Sequence, residues 1–142
     1  MVKKTSSKKG FTLVELLVVI AIIGSLSTLS IVALNNARQK ARDAARVADV
    51  KQMMTALELY FSDTGTYPDA VTVGGKIASA SSTYMGIVPS NQVPWADNGC
   101  PSLDYAYTLD TPTSYHIAYC LAGATGGVAA GSHNATPSGI AQ

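Results

Sequence analysis

Glu15 is the residue whose type and position point most strongly to chemistry. It is followed by residues 16–34, which carry no charge and are mostly leucine, isoleucine and valine. A charged side chain at the centre of a bilayer costs about 2.5–3.5 kcal/mol on insertion scales. An ionisable group in an otherwise lipid-compatible segment therefore predicts a function for that group.

Gly10 marks a second chemical feature, a position for cleavage. Four lysines precede it, as in the basic start of a secretory signal: Lys3, Lys4, Lys8 and Lys9. In an ordinary signal the small-residue cleavage site follows the apolar core, whereas Gly10 precedes it. Cleavage after Gly10 would keep the apolar segment and give Phe11 a free amine. Glu15 would then lie four residues, about one helical turn, from the new positive charge.

Residues 10–15, with the sequence Gly-Phe-Thr-Leu-Val-Glu, resemble the processing motif of type IV prepilins and of the related pseudopilins of type II secretion systems. The basic leader, the Gly-Phe pair, the glutamate and the apolar run all occur in the family's order. The resemblance implies that a prepilin peptidase cleaves between Gly10 and Phe11 and that Phe11 is N-methylated. It also implies that Glu15 pairs with the N-terminal amine of a neighbouring subunit during assembly.

The same resemblance implies the partners of the chain. These are other copies in a helical filament, the peptidase, a membrane assembly platform with its ATPase, and the lipid bilayer before assembly. One departure is that many major pilins have a proline in the apolar segment, whereas the first proline here is Pro68. Because that proline is missing, major pilin and pseudopilin both stay open. Gly24 is the one weak point inside the apolar run.

Cys100 and Cys120 are the two cysteines of the chain, and both follow the apolar segment. The basic leader predicts that the N-terminus stays in the cytoplasm and that the remainder is exported. Cysteine pairs in exported proteins are usually oxidised. The sequence therefore predicts a disulfide between them.

No set of residues indicates catalysis, a cofactor or a metal site, and we predict that the chain is not an enzyme. The two histidines stand apart, and metal-ligand spacings, a phosphate loop and a nucleophile elbow are absent from the sequence. Three aspartates that could hold calcium are better explained as solvated surface residues: Asp97, Asp104 and Asp110. Without the four leader lysines, six basic and nine acidic residues remain, so nucleic-acid binding is not expected.

One long helix is predicted from Phe11 to about residue 62, because this stretch contains no proline. Residues 1–10 form the leader, 11–34 the transmembrane and filament-core part, and 35–62 an amphipathic half. The apolar stripe of that half has helical spacing: Val47, Val50, Met54, Leu57 and Phe61. Three arginines are predicted to lie on its solvated face, with contacts to other subunits or to lipid headgroups as the alternative: Arg38, Arg42 and Arg46. Gly65 and Pro68 end the helix.

Residues 63–142 are predicted to form a globular head. Residues 103–109 and 115–121 alternate between apolar and polar side chains, which is typical of two strands in an antiparallel hairpin. Their tyrosine-rich face is expected to cover the helical stripe. Trp95 is expected in the core or as a lid. Residues 123–142 are expected to add a short strand near Val128 and then to continue as a flexible tail. The fold class is therefore α+β, a long helix packed on a small antiparallel sheet, as in pilins.

The expected function is that of a structural subunit of a type IV pilus-like filament, assembled from membrane-embedded precursors. A pseudopilin of a type II secretion system is the alternative, as is a minor pilin in adhesion or DNA uptake. The single basic residue after Lys51, which is Lys76, argues against DNA uptake. A signal-anchored or secreted domain is a further alternative. The expected location is the cytoplasmic membrane before assembly, as a single-pass protein, and an extracellular or periplasmic filament afterwards.

Overall fold

The computed structural model describes residues 10–92, 99–100 and 104–140. Its elements in chain order are α1 Leu13–Thr64, β1 Ile77–Ala78, β2 Thr83–Met85, β3 Ala106–Thr111, β4 Ser114–Leu121, β5 Gly131–Thr136 and β6 Gly139–Ile140. Strands β1 and β2 form one antiparallel sheet, and the other four form a second sheet. The predicted α+β fold class is confirmed. The chain divides after Asn36 into two compact units. The unit up to Asn36 is called the N-terminal unit below. The unit from Ala37 onward, which includes the second half of α1, is called the head.

Helix α1 ends where the sequence predicts. Gly65 follows the last helical residue with a φ of 78°, in the left-handed region that glycine adopts without strain. Its backbone N–H donates to the carbonyl of Phe61 at 2.8 Å, and the hydroxyl of Thr64 donates to the carbonyl of Tyr60 at 2.7 Å. These bonds satisfy carbonyls that the end of a helix leaves without partners, and Pro68 stands shortly beyond.

The four-stranded sheet contains the predicted hairpin. Its order is β3-β4-β5-β6, and every pair is antiparallel. In the hairpin, Tyr107 lies opposite Ile117 and Leu109 lies opposite Tyr115. Every second residue of β4 is buried, namely Tyr115, Ile117, Tyr119 and Leu121. The period-two pattern therefore identified the buried face of the strand.

The expected flexible tail is wrong for residues 131–140. Strand β5 pairs with β4, where Ala135 lies opposite Ile117, and β6 pairs with β5. The short strand expected near Val128 is reduced to one isolated bridge. Residues 131–136 are Gly-Ser-His-Asn-Ala-Thr, which has little of the β-branched and aromatic content typical of strands. The pairing with β4 and the full burial of Ala135 override that weak local preference.

The core of the head lies between one face of α1 and the buried face of this sheet. The helix contributes Val47, Val50, Met53, Ala56 and Leu57. The predicted stripe named Met54 in place of Met53, but Met53 is the fully buried one, while Met54 and Phe61 pack at the margin. Aromatic rings extend the core beyond the helix end. Tyr67 lies 4.7 Å from the ring of Phe61 and 4.6 Å from that of Tyr115.

Arg46 corrects the prediction that three arginines lie on a solvated face, because its side chain is 0% exposed. Its Nη1 donates to the Asp43 carboxylate at 2.7 Å, and its Nε donates to the side-chain oxygen of Asn91 at 2.9 Å. Its Nη2 donates to the carbonyl of Gln92 at 3.2 Å. A buried guanidinium needs such partners, because an unpaired buried charge is very costly. Arg38, by contrast, is exposed as predicted.

Asp43 carries the same network across to the sheet. Its two carboxylate oxygens accept the backbone N–H groups of Ala122 at 3.0 Å and Gly123 at 2.9 Å. One helical turn and a half further on, Asp49 accepts the hydroxyl of Tyr105 at 2.9 Å. Burial, followed by the nearby Asp49 carboxylate, raises the pKa of that tyrosine far above its ordinary value. The polar residues of α1 thus attach the helix to segments distant in sequence.

Candidate functional site

The predicted cleavage position lies outside any helix or strand. Gly10, Phe11 and Thr12 precede the first helical residue, and all three are exposed. The Phe11 side chain is 90% exposed. A peptidase must bind its substrate in an extended form around the bond that it cleaves, and the Gly10–Phe11 bond is free of helical hydrogen bonds. The local backbone is therefore compatible with cleavage at this bond.

Thr12 and Glu15 form a capping box at the start of α1. The Glu15 backbone N–H donates to the Thr12 hydroxyl oxygen at 3.2 Å. In return, Oε2 of Glu15 accepts the Thr12 backbone N–H at 2.8 Å and the Thr12 hydroxyl at 2.7 Å. This reciprocal arrangement satisfies N–H groups that have no partner within the helix. Glu15 therefore has a structural role in addition to its expected role in assembly.

Thr12 is the residue of this site that the sequence interpretation did not single out. The signal was present, because a threonine followed three residues later by a glutamate before an apolar run is the pattern of a capping box. Both bonds from Thr12 end on Oε2 of Glu15. Oε1 accepts no hydrogen bond from the described residues, so it could accept an amine while the capping box persists.

The apolar part of α1 is exposed along its whole length within the N-terminal unit. An 18-residue window of the helix has a mean hydropathy of 2.5, and none of it is buried. Three of its hydroxyl groups are satisfied within the helix: Ser27 donates to the Ile23 carbonyl at 2.7 Å, Thr28 to the Ser25 carbonyl at 2.8 Å, and Ser30 to the Leu26 carbonyl at 3.0 Å. The segment is thus long enough and apolar enough to cross a membrane, where every polar group needs an internal partner.

The predicted disulfide between Cys100 and Cys120 is present, with an S–S distance of 2.04 Å. Cys120 lies in β4 two residues before Ala122, whose N–H is bound by Asp43. The covalent link and the buried ion pair therefore fix the same end of β4. This arrangement indicates a stabilising role for the two cysteines.

Among the described residues, no group of three or more histidine, cysteine, aspartate or glutamate side chains could hold a metal ion. His116 contacts Asp110 at 2.9 Å on the exposed side of the hairpin. Asp104 accepts the backbone N–H of Asn91 at 2.6 Å. Trp95 and Asp97, together with leader residues 1–9, lie outside the described residues.

Comparison with known proteins gives matches of two kinds. Residues 5–31 match the family model described as the prokaryotic N-terminal methylation motif. The chain is 38% identical over 66 residues to the type II secretion system core protein G of Escherichia coli strain K12. This alignment covers 46% of each protein. It is 30% identical over 112 residues to a type IV major fimbrial protein FimA of Dichelobacter nodosus, which covers 79% of this chain and 70% of that protein.

A second FimA protein from the same organism is 35% identical over 107 residues and covers 69% of this chain. The chain spans about half the length of the secretion protein that it matches. No solved structure gives a significant match to the chain. The names of these relatives denote fimbrial and secretion-system proteins, and none of the names denotes an enzyme.

Proposed function

This chain belongs to the family of type IV pilins and type II secretion pseudopilins, and we propose that it is a structural subunit of a type IV pilus-like filament. The observation that carries the proposal is the fully exposed apolar segment of α1, which has one carboxylate at its start. A segment with this composition needs lipid or other apolar helices around it. A bundle of such helices from many copies would provide those surroundings after the subunit leaves the membrane.

Processing is the first step of the proposed function. A prepilin peptidase would cleave the bond after Gly10 and methylate the new N-terminus at Phe11. Before this step the chain would span the cytoplasmic membrane once, with its N-terminus in the cytoplasm. A membrane assembly platform with its ATPase would then move the processed subunit into the filament.

Assembly is the second step, and Glu15 would bind the Phe11 amine of a neighbouring copy. The free Oε1 atom supports this role, because Glu15 could then keep its capping bonds to Thr12 on Oε2. An amine buried among apolar helices without a partner would be costly, and breaking a buried ion pair costs about 3–5 kcal/mol. Because the same contact recurs with each added copy, losing it would hinder elongation strongly.

The test compares Glu15→Ala with Glu15→Gln in the full chain. Glutamine can keep the capping box, since its amide oxygen accepts the same bonds, but it carries no charge. We expect both variants to be inserted and cleaved at Gly10, and both to form few or no filaments. N-terminal sequencing measures processing, and electron microscopy of sheared filaments measures assembly.

The two substitutions separate the two roles of Glu15. Normal filaments from Glu15→Gln together with defective filaments from Glu15→Ala would mean that Glu15 acts through helix capping alone. Normal filaments from both variants would contradict any assembly role. Filaments absent even from the unaltered, cleaved chain would contradict the filament function itself.

A pseudopilin of a type II secretion system is the second candidate. It is favoured by the 38% identity to core protein G over an alignment of 66 residues. The two candidates predict different locations for the filament. A surface pilus would be sheared from intact cells and would contain this chain as an abundant subunit. A pseudopilus would stay in the periplasm, and deletion of the chain would block export of secreted proteins.

A further inference from the structure

The helical part of the head faces the sheet with a repeating set of apolar residues. Four of them, three or four residues apart, belong to the buried core: Val47, Val50, Met53 and Leu57. The register of the helix is defined here by which of its residues occupy these four places against the sheet. Because the apolar pattern repeats, a helix displaced along its axis could again face the sheet with apolar residues.

The apolar pattern excludes a displacement of the helix by four residues. In one direction such a displacement would bring Lys51 to the place of Val47, and in the other direction it would bring Asp43 there. A charge buried among apolar side chains without a partner is very costly. Hydrophobic burial alone therefore disfavours this register strongly.

A displacement by three residues is different, because it leaves all four places without a charge. It corresponds to about 4.5 Å along the helix axis. In one direction the four places would receive Val50, Met53, Ala56 and Tyr60. In the other direction they would receive Ala44, Val47, Val50 and Met54. The apolar pattern therefore discriminates only weakly against these two registers.

The charged residues of the same helix are spaced by three as well, and they alternate in sign. They are Lys40, Asp43, Arg46 and Asp49. The two central side chains are 0% exposed, and Asp49 is half-buried. A displacement by three residues would therefore bring a charge of the opposite sign to the place of each buried charge.

The groups opposite the two aspartates are hydrogen-bond donors. Asp43 accepts the backbone N–H groups of Ala122 at 3.0 Å and Gly123 at 2.9 Å. Asp49 accepts the hydroxyl of Tyr105 at 2.9 Å. These donors suit a carboxylate, which can only accept.

The groups opposite Arg46 are acceptors. Its Nε donates to the side-chain oxygen of Asn91 at 2.9 Å, and its Nη2 donates to the carbonyl of Gln92 at 3.2 Å. A guanidinium has donors only. The sheet side of the head thus offers donors and acceptors in an order that matches the order of charges along the helix.

A displacement by three residues would reverse this match. In one direction Arg46 would face the N–H groups that Asp43 accepts, and Asp49 would face the oxygen atoms that Arg46 binds. In the other direction Lys40 would face those N–H groups, and Asp43 would face those oxygen atoms. Donors would then meet donors, acceptors would meet acceptors, and buried charges would lose their partners.

We propose that the alternating charges Lys40, Asp43, Arg46 and Asp49 fix the register of α1 against the sheet by excluding the two registers displaced by three residues. Asp43 and Arg46 are positioning residues in this arrangement. A single buried polar residue fixes the register of coiled coils in the same way. A consequence for assembly rests on the proposed filament function: the copies of a helical polymer must be identical, so each must have its sheet on the same helix residues.

The first test moves the ion pair along the helix. Arg46→Asp with Asp49→Arg shifts the pair by three residues, so the displaced register becomes the matched one. We expect α1 to move by three residues, and the sheet methyl groups, such as those of Ile117, that contact Val50 in the unaltered chain should then contact Met53. Nuclear Overhauser contacts between methyl groups in the detergent-solubilised full chain measure the register.

The second test removes the signs but keeps the hydrogen-bonding groups. Asp43→Asn with Arg46→Gln and Asp49→Asn places side-chain amides at these positions, and an amide both donates and accepts. The displaced registers are then no longer excluded. We expect two sets of methyl signals, the minor set with about 10% of the intensity or more. Formation of the Cys100–Cys120 bond shows that the head is folded.

Leu57→Ala is the matched control. It removes a fully buried side chain and so destabilises the head through a cavity, while the charges stay in place. It should give one set of methyl signals with the original contacts. This control separates a loss of register from a loss of stability.

Four results would overturn the proposal. They are the original methyl contacts in the moved-pair variant, one set of signals from the amide variant, two sets from Leu57→Ala, and loss of folding in both charge variants, which would assign the network to stability alone. If only the moved-pair variant fails to fold, the amide variant decides. Absence of filaments from the unaltered chain would contradict the proposed function but not the register, which is measured without filaments.

Discussion

The N-terminal unit and the head place their apolar and charged groups in opposite ways. In the N-terminal unit the leucine, isoleucine and valine side chains are exposed, as the 18-residue window of α1 shows. In the head, most of the large apolar residues that the structure describes form a core, and an ion pair between Asp43 and Arg46 is fully buried. The head thus buries most of these apolar side chains within itself, whereas the N-terminal unit leaves its apolar side chains exposed.

The two regions also differ in how far their hydrogen bonds reach along the chain. In the N-terminal unit they join neighbours three or four residues apart, as between Thr12 and Glu15. In the head, Arg46 reaches Asn91 and Asp43 reaches Gly123. A local change should therefore have a local effect in the first region and a global effect in the second.

The largest expected effect is that of Arg46→Met in the head. Methionine fills a similar volume but leaves the Asp43 carboxylate buried without its guanidinium partner. We expect the free energy of unfolding of the head to fall by about 3–5 kcal/mol. Guanidinium denaturation of the detergent-solubilised chain, followed by the near-ultraviolet circular dichroism of the tyrosines, measures this change.

Arg38→Met is the matched control for this prediction, because it removes the same charge from an exposed site of the same helix. Its effect should stay within about 0.5 kcal/mol. Equal effects of the two substitutions would show that the buried network contributes no more to stability than a solvated arginine does.

A smaller loss is expected when the disulfide is removed by Cys100→Ser with Cys120→Ser. The bond closes a loop with a sequence separation of 20 residues, for which the chain-entropy estimate is roughly 3 kcal/mol. The free energy of unfolding of the head should fall by about that amount, while helix α1 in the N-terminal unit stays unaffected. Mass spectrometry of the unreduced protein should show a loss of two hydrogens, and two thiols open to alkylation would contradict the bond.

The smallest expected effect belongs to the N-terminal unit. Thr12→Ala removes the capping box and should destabilise the first turn of α1 by about 1 kcal/mol. Hydrogen exchange at Glu15, whose backbone N–H donates to the Thr12 hydroxyl, and at Leu16, in the same first turn, should become faster, while the unfolding of the head should not change. Thr12→Ser keeps the hydroxyl group and should retain slow exchange. Slower unfolding of the head, or any other change in its stability, on Thr12→Ala would contradict the contrast between the two regions.

The sequence by itself determined the features that depend on neighbours along the chain. The apolar run, the absence of proline and Gly65 fix the extent of α1, because helix formation and termination depend on residues within a few positions. The alternation in residues 115–121 likewise fixed the buried face of β4. The capping box of Thr12 and Glu15 was equally available from its spacing.

Only the tertiary structure decided the partners that are distant in sequence. Arg46 looks like any other arginine of a charged helix, and its burial follows from the positions of Asn91 and Gln92. Strand β5 forms from a segment with weak strand preference, because β4 offers it a free edge and Ala135 fills the core. These outcomes depend on the free energy of contacts between separate elements, and a local pattern carries no information about which elements will meet.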